Sequence, residues 1–264
     1  MAIYSFVRNI GQRTIQGFEE FGYAVGLLVE SIYWLIAGRA LHQTVRFSAI
    51  AREAMHIGVG AVPIAALLCF SVGIMLAIQG IETLKTYGAE SKVVIGIALS
   101  VTREFSPLIV GILVAGRSGS AITARVGSMQ EAQEIDALRV IGINPVRYLA
   151  APLLAAMLIT VPSLTILGDF MGIIGGAVYS ALDLNIALSV YMDQSLAALS
   201  VDDITQGLVK SLVFATIIVL VSVVNGFQVT GGAEGVGRST TRSVVMAISF
   251  IVLADMIFTY ILNH

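Results

Sequence analysis

Long apolar stretches recur along the chain. A helix needs about 20 mostly apolar residues to cross the hydrocarbon core of a bilayer, which is roughly 30 Å thick. Because lipid offers backbone N–H and C=O groups no partner, such stretches form helices. Five stretches have this length, at residues 57–81, 93–116, 148–181, 208–227 and 244–262. The pattern therefore predicts an all-α integral membrane protein with five transmembrane helices.

A shorter apolar stretch precedes these five. Residues 24–37 are apolar apart from Glu30 and Ser31, and a run of about 14 residues suits an interfacial or buried helix better than a span. Upstream, apolar side chains recur every three or four residues from Ile15 onwards, as they do on an amphipathic helix. We predict an N-terminal interfacial elbow helix. The alternative is a sixth helix that is re-entrant or spans poorly.

The arginines of the connections fall in every second connection, and therefore on one side of the membrane. They are Arg8, Arg13, Arg39, Arg46 and Arg52 before the first span, Arg117, Arg125, Arg139 and Arg147 between the second and third, and Arg238 and Arg242 between the fourth and fifth. Residues 182–207, in contrast, carry aspartates and no cation. Because cytoplasmic loops keep an excess of Lys and Arg, we predict that the N-terminus is cytoplasmic and the C-terminus is outside.

Composition agrees with a membrane protein and excludes several other classes. The chain of 264 residues is 57% hydrophobic and 12% charged, whereas soluble domains average about 25% charged residues. Its net charge of -2 provides no basic surface for nucleic acid, so no nucleic-acid partner is expected. Cys69 is the single cysteine, and no Cys/His cluster has zinc spacing, so we expect no metal and no cofactor in this chain.

The sequence predicts one domain over residues 1–264. It contains no internal repeat and no linker long enough to separate domains. Residues 1–56 form an N-terminal segment with the interfacial helix, and residues 57–262 form the five-span region.

Four ionisable residues within the predicted spans are candidates for function, because charges are costly in lipid. Arg103 and Glu104 lie near the middle of the second span, Asp255 lies at a similar depth in the fifth, and Lys210 lies near the outer end of the fourth. We predict that they line a polar cavity; the alternative is an ion-pair network that fixes helix packing. Arg103 and Glu104 point about 100° apart on a helix and should face different neighbours. For Lys210, a structural pair with Asp169 late in the third span is a further alternative.

The polar connection at residues 117–147 contains a predicted helix of its own. Ser128 followed by Glu131 has the spacing of a capping box, and Gly142 with Pro145 is a stop signal. These limits predict a helix at about 128–141. Ala132, Ile135, Leu138 and Ile141 form a narrow apolar stripe on it. The stripe either packs under its own membrane domain or contacts a soluble partner.

The region from Arg103 to Pro152 closely resembles the MlaE family of permeases, which are membrane subunits of lipid-transporting ABC systems. The resemblance is carried by Ala115-Gly116-Arg117, by Gly127-Ser128-Met129 and by the run from Glu134 to Leu138. Chain length, the N-terminal interfacial helix and five spans also fit the family.

The resemblance implies a homodimeric permease in the bacterial inner membrane. Its function would be to move glycerophospholipids between that membrane and a periplasmic carrier, which maintains outer-membrane lipid asymmetry. The implied partners are an ATPase dimer that binds ATP and Mg, a cytoplasmic STAS-domain subunit and a periplasmic hexameric MCE-domain protein. The loop helix would act as the coupling helix to the ATPase. The residues expected to make this contact are Glu131, Glu134, Ile135, Asp136, Leu138 and Arg139.

No catalytic residues are predicted. The segment GAEGVGRS at 232–239 imitates a phosphate-binding loop, but arginine replaces its lysine and no strand precedes it. None of the three histidines lies beside a buried nucleophile. Two other functions remain open on the residues alone: an ion-coupled secondary transporter in which Glu104 and Asp255 relay protons, and a membrane scaffold that transports nothing.

Overall fold

The computed structural model describes residues 2–38, 45–89 and 92–262, and these residues form helices and no strand. Arg39 and the side chains of Arg8 and Arg13 lie outside the described part. The helices are α1 (Ala2–Ala37), α2 (Phe47–Gly58), α3 (Val62–Lys85), α4 (Val93–Ser100), α5 (Ser106–Val114), α6 (Ser120–Glu131), α7 (Glu134–Val140), α8 (Ala151–Asp183), α9 (Leu188–Ala198), α10 (Val201–Phe227) and α11 (Gly232–Leu262). The predicted all-α fold class is confirmed.

The number of helices long enough to span a membrane is six within the described residues, one more than predicted. Five of them, Val62–Lys85, Val93–Glu131, Val146–Asp183, Val201–Phe227 and Gly232–Leu262, correspond to the predicted spans. The first span begins later than predicted, because a turn at residues 59–61 separates α2 from α3. The sixth is Gly17–Ala37, within α1. The estimate of about 14 residues for this stretch was therefore too short, because the apolar window continues upstream of residue 24.

The described side-chain contacts of α1 lie at one end of the helix bundle. We call this end, which carries the connection between α6 and α8, the loop end. Glu30 accepts a hydrogen bond from Asn144 at 2.6 Å, and Glu20 accepts two from Arg242 at 2.6 and 2.8 Å. These contacts tie α1 to the connection before α8 and to the first part of α11.

Glycines let α3 and α8 cross in close contact. A Cβ at Gly73 would lie 1.9 Å from the carbonyl oxygen of Gly172, and a Cβ at Gly175 would lie 2.1 Å from that of Phe70. Neither position can hold a side chain without separating the two helices, since this is backbone against backbone. The small-residue spacing of α8 thus serves packing within one chain.

Helices α4, α5 and α6 form one continuous helix, Val93–Glu131, which is interrupted by two π-helical turns. This helix continues past the predicted end of the second span because its last part packs against α10 and α11. The Thr123 hydroxyl oxygen lies within hydrogen-bond distance of the Ser222 carbonyl oxygen, at 3.1 Å, and of the Ser243 hydroxyl oxygen, at 2.8 Å. The second long helix therefore extends into the connection that sequence analysis treated as a loop.

The predicted capping box and the predicted single helix at 128–141 are wrong. Ser128 and Glu131 belong to the last turn of α6, where no side chain caps the helix. The chain then breaks at Gln133, whose backbone is left-handed with φ of 58°, and α7 covers only Glu134–Val140. A serine and a glutamate three residues apart also occur inside helices, so the pattern does not by itself mark a start.

Two further elements differ from the prediction. The acidic connection at 182–207 contains α9, whose Tyr191 is fully buried against α8. The segment that imitates a phosphate-binding loop forms the first turns of α11. It is therefore a helix start and not a loop.

Candidate functional site: a charged cluster within the spans

Arg103 and Glu104 lie on a π-helical turn, Val101–Phe105, within the second long helix. Arg103 follows the helix start at Val93 by ten residues, which corresponds to a depth of about 15 Å and thus to the middle of a bilayer core. π-helical turns break the regular hydrogen-bond ladder and frequently occur at functional sites. This turn directs two adjacent charged side chains towards different parts of α10.

Glu104 belongs to a cluster around Lys210. The Lys210 ammonium donates to Glu104 Oε2 at 2.5 Å and to Thr259 Oγ1 at 3.0 Å. It also forms an ion pair with Asp255 Oδ1 at 3.0 Å. The Lys210 side chain has no exposed surface, whereas Glu104 is 30% exposed. A lysine buried in this way needs its partners, because an uncompensated charge in a low dielectric is strongly unfavourable.

Arg103 forms a separate pair with Asp203. Its Nε donates to Asp203 Oδ1 at 2.5 Å, and one terminal nitrogen contacts the same oxygen. Asp203 is almost fully buried and also accepts the Ser200 backbone N–H at 2.8 Å. Ser200 and Asp203 form a capping box at the start of α10. The start of α10 therefore holds the carboxylate that positions the Arg103 guanidinium.

Sequence analysis missed two members of these clusters, Asp203 and Thr259. Asp203 was noted only as an acidic residue of a connection. The spacing Ser200-x-x-Asp203 is a helix-start signal that would have placed it at the first turn of a span. Thr259 gave no signal, because threonine is common in membrane helices and its partners are distant in sequence.

The four predicted cavity residues come together as two ion-pair clusters joined through the π-helical turn. The prediction that Arg103 and Glu104 face different neighbours is confirmed. The alternative pairing of Lys210 with Asp169 is wrong: Asp169 Oδ1 is buried with no hydrogen-bond partner among the described residues. Lys210 and Asp203 are closed off within the protein, while 39% of the Arg103 side chain is exposed.

The free surface of this site therefore consists of the Arg103 guanidinium and one side of Glu104. Two N–H groups of Arg103 are used by Asp203, and a guanidinium has five donors in all. The remaining donors have no partner in the described part of the chain. An arginine that is oriented by a buried carboxylate and still has free donors can bind an anionic oxygen group.

The predicted contact residues at the end of α6 and on α7 fall into two groups, one buried or half-buried and one exposed. Ile135 is fully buried in the main hydrophobic core, and Leu138 is half-buried. Glu131, Glu134, Asp136 and Arg139 are exposed, with Arg139 paired to Asp136 at 3.0 Å. Val140 is 86% exposed. The structure thus makes Ile135 the anchor of α7 on its own domain and not a surface residue.

Comparison with known proteins assigns this architecture to a family. Residues 50–261 match the model of the family described as "Permease MlaE". A probable ABC transporter permease protein of Rickettsia bellii is 33% identical over 258 residues, which covers 97% of both chains. The Arabidopsis thaliana protein named trigalactosyldiacylglycerol 1, chloroplastic, is 34% identical over 232 residues, 88% of this chain and 66% of the relative.

A third relative extends the comparison to cyanobacteria. A probable ABC transporter permease protein of Synechocystis is 32% identical over 206 residues, which is 78% of both chains. Together with the all-helical fold and six helices of membrane-spanning length within the described residues, these matches establish the protein as a member of the MlaE family of ABC transporter permeases.

Proposed function

We propose that this chain is the lipid-translocating subunit of an ABC transporter that moves glycerophospholipids. Two copies would enclose a cavity between them, and a separate ATPase dimer would supply the energy from ATP and Mg. A STAS-domain subunit on the ATPase side and a periplasmic hexameric MCE-domain protein complete the proposed assembly. The location would be a bacterial inner membrane, with the loop end in the cytoplasm, because that end carries most of the arginines of the connections.

The observation that carries the proposal is the partly exposed Arg103 at mid-depth of the helix bundle. Its donors are oriented by buried Asp203 and remain available for a phosphate group. The exposed surface around the cluster is apolar: Met256 and Tyr260 on α11 are 62% and 66% exposed. A charged headgroup contact beside apolar surface is the chemistry that an amphipathic lipid requires.

The proposed route for energy passes through α7. Its exposed residues Glu134, Asp136, Arg139 and Val140 would contact the ATPase, and buried Ile135 would transmit the displacement to the membrane domain. Because α7 is short and begins directly after a left-handed residue, it can move as a unit relative to α6.

The test is lipid transfer by the purified transporter complex reconstituted in vesicles with fluorescent phospholipid. We expect Arg103→Ala to lower the ATP-dependent transfer rate about ten-fold, the cost of one charge-assisted hydrogen bond to phosphate. Lys85→Met removes an exposed cation that pairs with Asp183, and it should leave the rate unchanged. Unaltered transfer by Arg103→Ala would refute the headgroup assignment.

The same assay discriminates the ion-coupled alternative. In that case Glu104 and Asp255 would exchange protons, and transport would follow a proton gradient without ATP. Both carboxylates are held by Lys210, which favours a fixed structural charge over a proton carrier. Uptake that persists after ATP depletion and is abolished by Glu104→Gln would overturn the ABC-driven proposal.

A further inference from the structure

A groove rich in arginine lies at the loop end between α2, the end of α6 and the start of α8. It has a volume of about 770 Å³, and four arginines line it: Arg46, Arg52, Arg125 and Arg147. Among the described residues that line it, Glu53 is the single acidic one. A neighbouring cavity of about 380 Å³ shares Glu53 and Arg125 and adds Arg117. The charged cluster within the spans contributes no residue to either cavity.

The charges of this groove are not balanced within the described residues. Arg125 binds both oxygens of Glu53, at 2.9 and 3.1 Å, and so neutralises it. The guanidinium of Arg147 lies 5.3 Å from the centre of the Trp34 ring, which is a cation–π contact. Arg46 and Arg52 have no ion pair in the part of the chain that the structure describes. An excess of positive charge therefore faces the groove, and guanidinium groups bind phosphate in a bidentate manner.

Beyond the groove, exposed apolar side chains occur at intervals on the segment that leads from Tyr148 into α8, separated by buried or half-buried residues. Tyr148 lines the groove and is 56% exposed. Ile159 and Ile166 lie on the same side of the helix at 100° per residue and are both more than half exposed. Tyr148 lies on a π-helical turn, Val146–Ala150, that precedes α8, and the residues between it and Ile159 are buried or half-buried.

The opposite wall, α2, has the pattern of a helix that lies at a membrane surface. Phe47 at its start and Met55 near its end are exposed and lie about 80° apart around the helix. Arg46 and Arg52 lie on the side that faces the groove. Apolar side chains beside arginines on one short helix are typical of the interface between lipid tails and headgroups.

From these observations we propose that the groove binds the phosphate of an anionic phospholipid from the leaflet at the loop end. Arg46 and Arg52 would contact the phosphate, and an acyl chain would leave the groove past the exposed Tyr148 side chain. This site is distinct from Arg103, which lies at mid-depth in the helix bundle and lines neither cavity. It rests on the proposed function only for the membrane placement of the loop end and does not require transport.

The test uses the purified full-length chain in detergent, without the ATPase, and native mass spectrometry with added phosphatidylglycerol, phosphatidylcholine or inorganic phosphate. We expect phosphatidylglycerol to bind at least ten-fold more tightly than phosphatidylcholine. The double variant Arg46→Gln/Arg52→Gln should lose about ten-fold or more of this affinity, since two charge-assisted contacts are removed. The matched control is Arg238→Gln, an exposed arginine on α11 at the same end, which should bind as wild type does.

A second readout locates the ligand. Trp34 is the only tryptophan, and it stacks on Arg147 in the groove wall, so its emission should change with phosphatidylglycerol and saturate with the binding curve.

The proposal would be overturned if the double variant and the control bind phosphatidylglycerol equally tightly. It would also be overturned if inorganic phosphate alone competes for the site. A separate copurification with the ATPase tests the other possible occupant of the groove. If the double variant loses ATPase association while it still binds phosphatidylglycerol, the lipid assignment is wrong. None of these results alters the transfer assay with Arg103→Ala, so the two proposals fail separately.

Discussion

Lys210 is fully buried between two carboxylates, so its removal should destabilise this protein strongly. Lys210→Met keeps the length of the apolar side chain and deletes the positive charge that holds Glu104 at 2.5 Å and Asp255 at 3.0 Å. The net charge of the three groups changes from −1 to −2. Breaking a buried ion pair by removing one partner costs about 3–5 kcal/mol. We expect the lower end of this range, because Glu104 is 30% exposed and can be hydrated.

A loss of about 3 kcal/mol corresponds to a decrease of roughly a hundredfold in the folding equilibrium constant. The measurement is equilibrium unfolding of the purified chain in mixed micelles at increasing concentrations of a denaturing detergent. The double variant Lys210→Met/Glu104→Gln restores the net charge of −1 and should recover most of the lost stability. A double-mutant cycle of this kind isolates the interaction between the two side chains.

The matched control is Lys85→Met. Lys85 forms an ion pair of similar length with Asp183, 2.8 Å, but both side chains are partly exposed. Its removal should change stability little, because solvent screens such pairs. Our account of the cluster is refuted if Lys210→Met unfolds at the same detergent concentration as Lys85→Met, or if the double variant is no more stable than the single one.

Two further predictions concern packing and coupling. Gly73→Leu should prevent α3 and α8 from crossing, because its Cβ would lie 1.9 Å from the Gly172 carbonyl oxygen. We therefore expect little folded protein in the membrane fraction. The control Gly96→Leu should express normally, because a Cβ at Gly96 meets no atom within 4 Å. Val140→Asp should leave thermal stability intact and weaken ATPase copurification about ten-fold, because the side chain is 86% exposed and would then be charged within an apolar contact. Ile135→Asp, at a fully buried position, should instead lower thermal stability, and equal stability of these two variants would contradict the anchor role of Ile135.

Part of the charged site followed from sequence alone. Burial of a charge in lipid is so unfavourable that an arginine and a glutamate in the middle of an apolar stretch indicate a functional or structural site. The residues that pair with them could not be predicted in the same way. Asp203 and Lys210 lie on α10, about 100 residues further along the chain, and which of them meets Arg103 depends on the π-helical turn and on the relative height of two helices. The sequence pattern within one helix contains information about neither the π-helical turn nor the relative height of the two helices.

The loop end was the least predictable region. The spacing of Ser128 and Glu131 suggested a helix start, yet the contacts of Thr123 with α10 and α11 stabilise α6 beyond that point. The arginine groove likewise combines α2, α6 and α8, whose residues are separated by up to about 100 positions. A count of loop arginines predicted orientation but gave no indication that four of them line one cavity.

The sequence by itself determined the fold class, the approximate positions of five long membrane helices and the family, because hydropathy over about 20 residues and a few local motifs carry that information. Tertiary structure decided how the charges are paired, where the second long helix ends and which residue of α7 is buried. These features depend on contacts between helices that are distant along the chain. Such contacts are set by close approach at glycines such as Gly73 and Gly172, and only the packed structure fixes the register in which the helices meet.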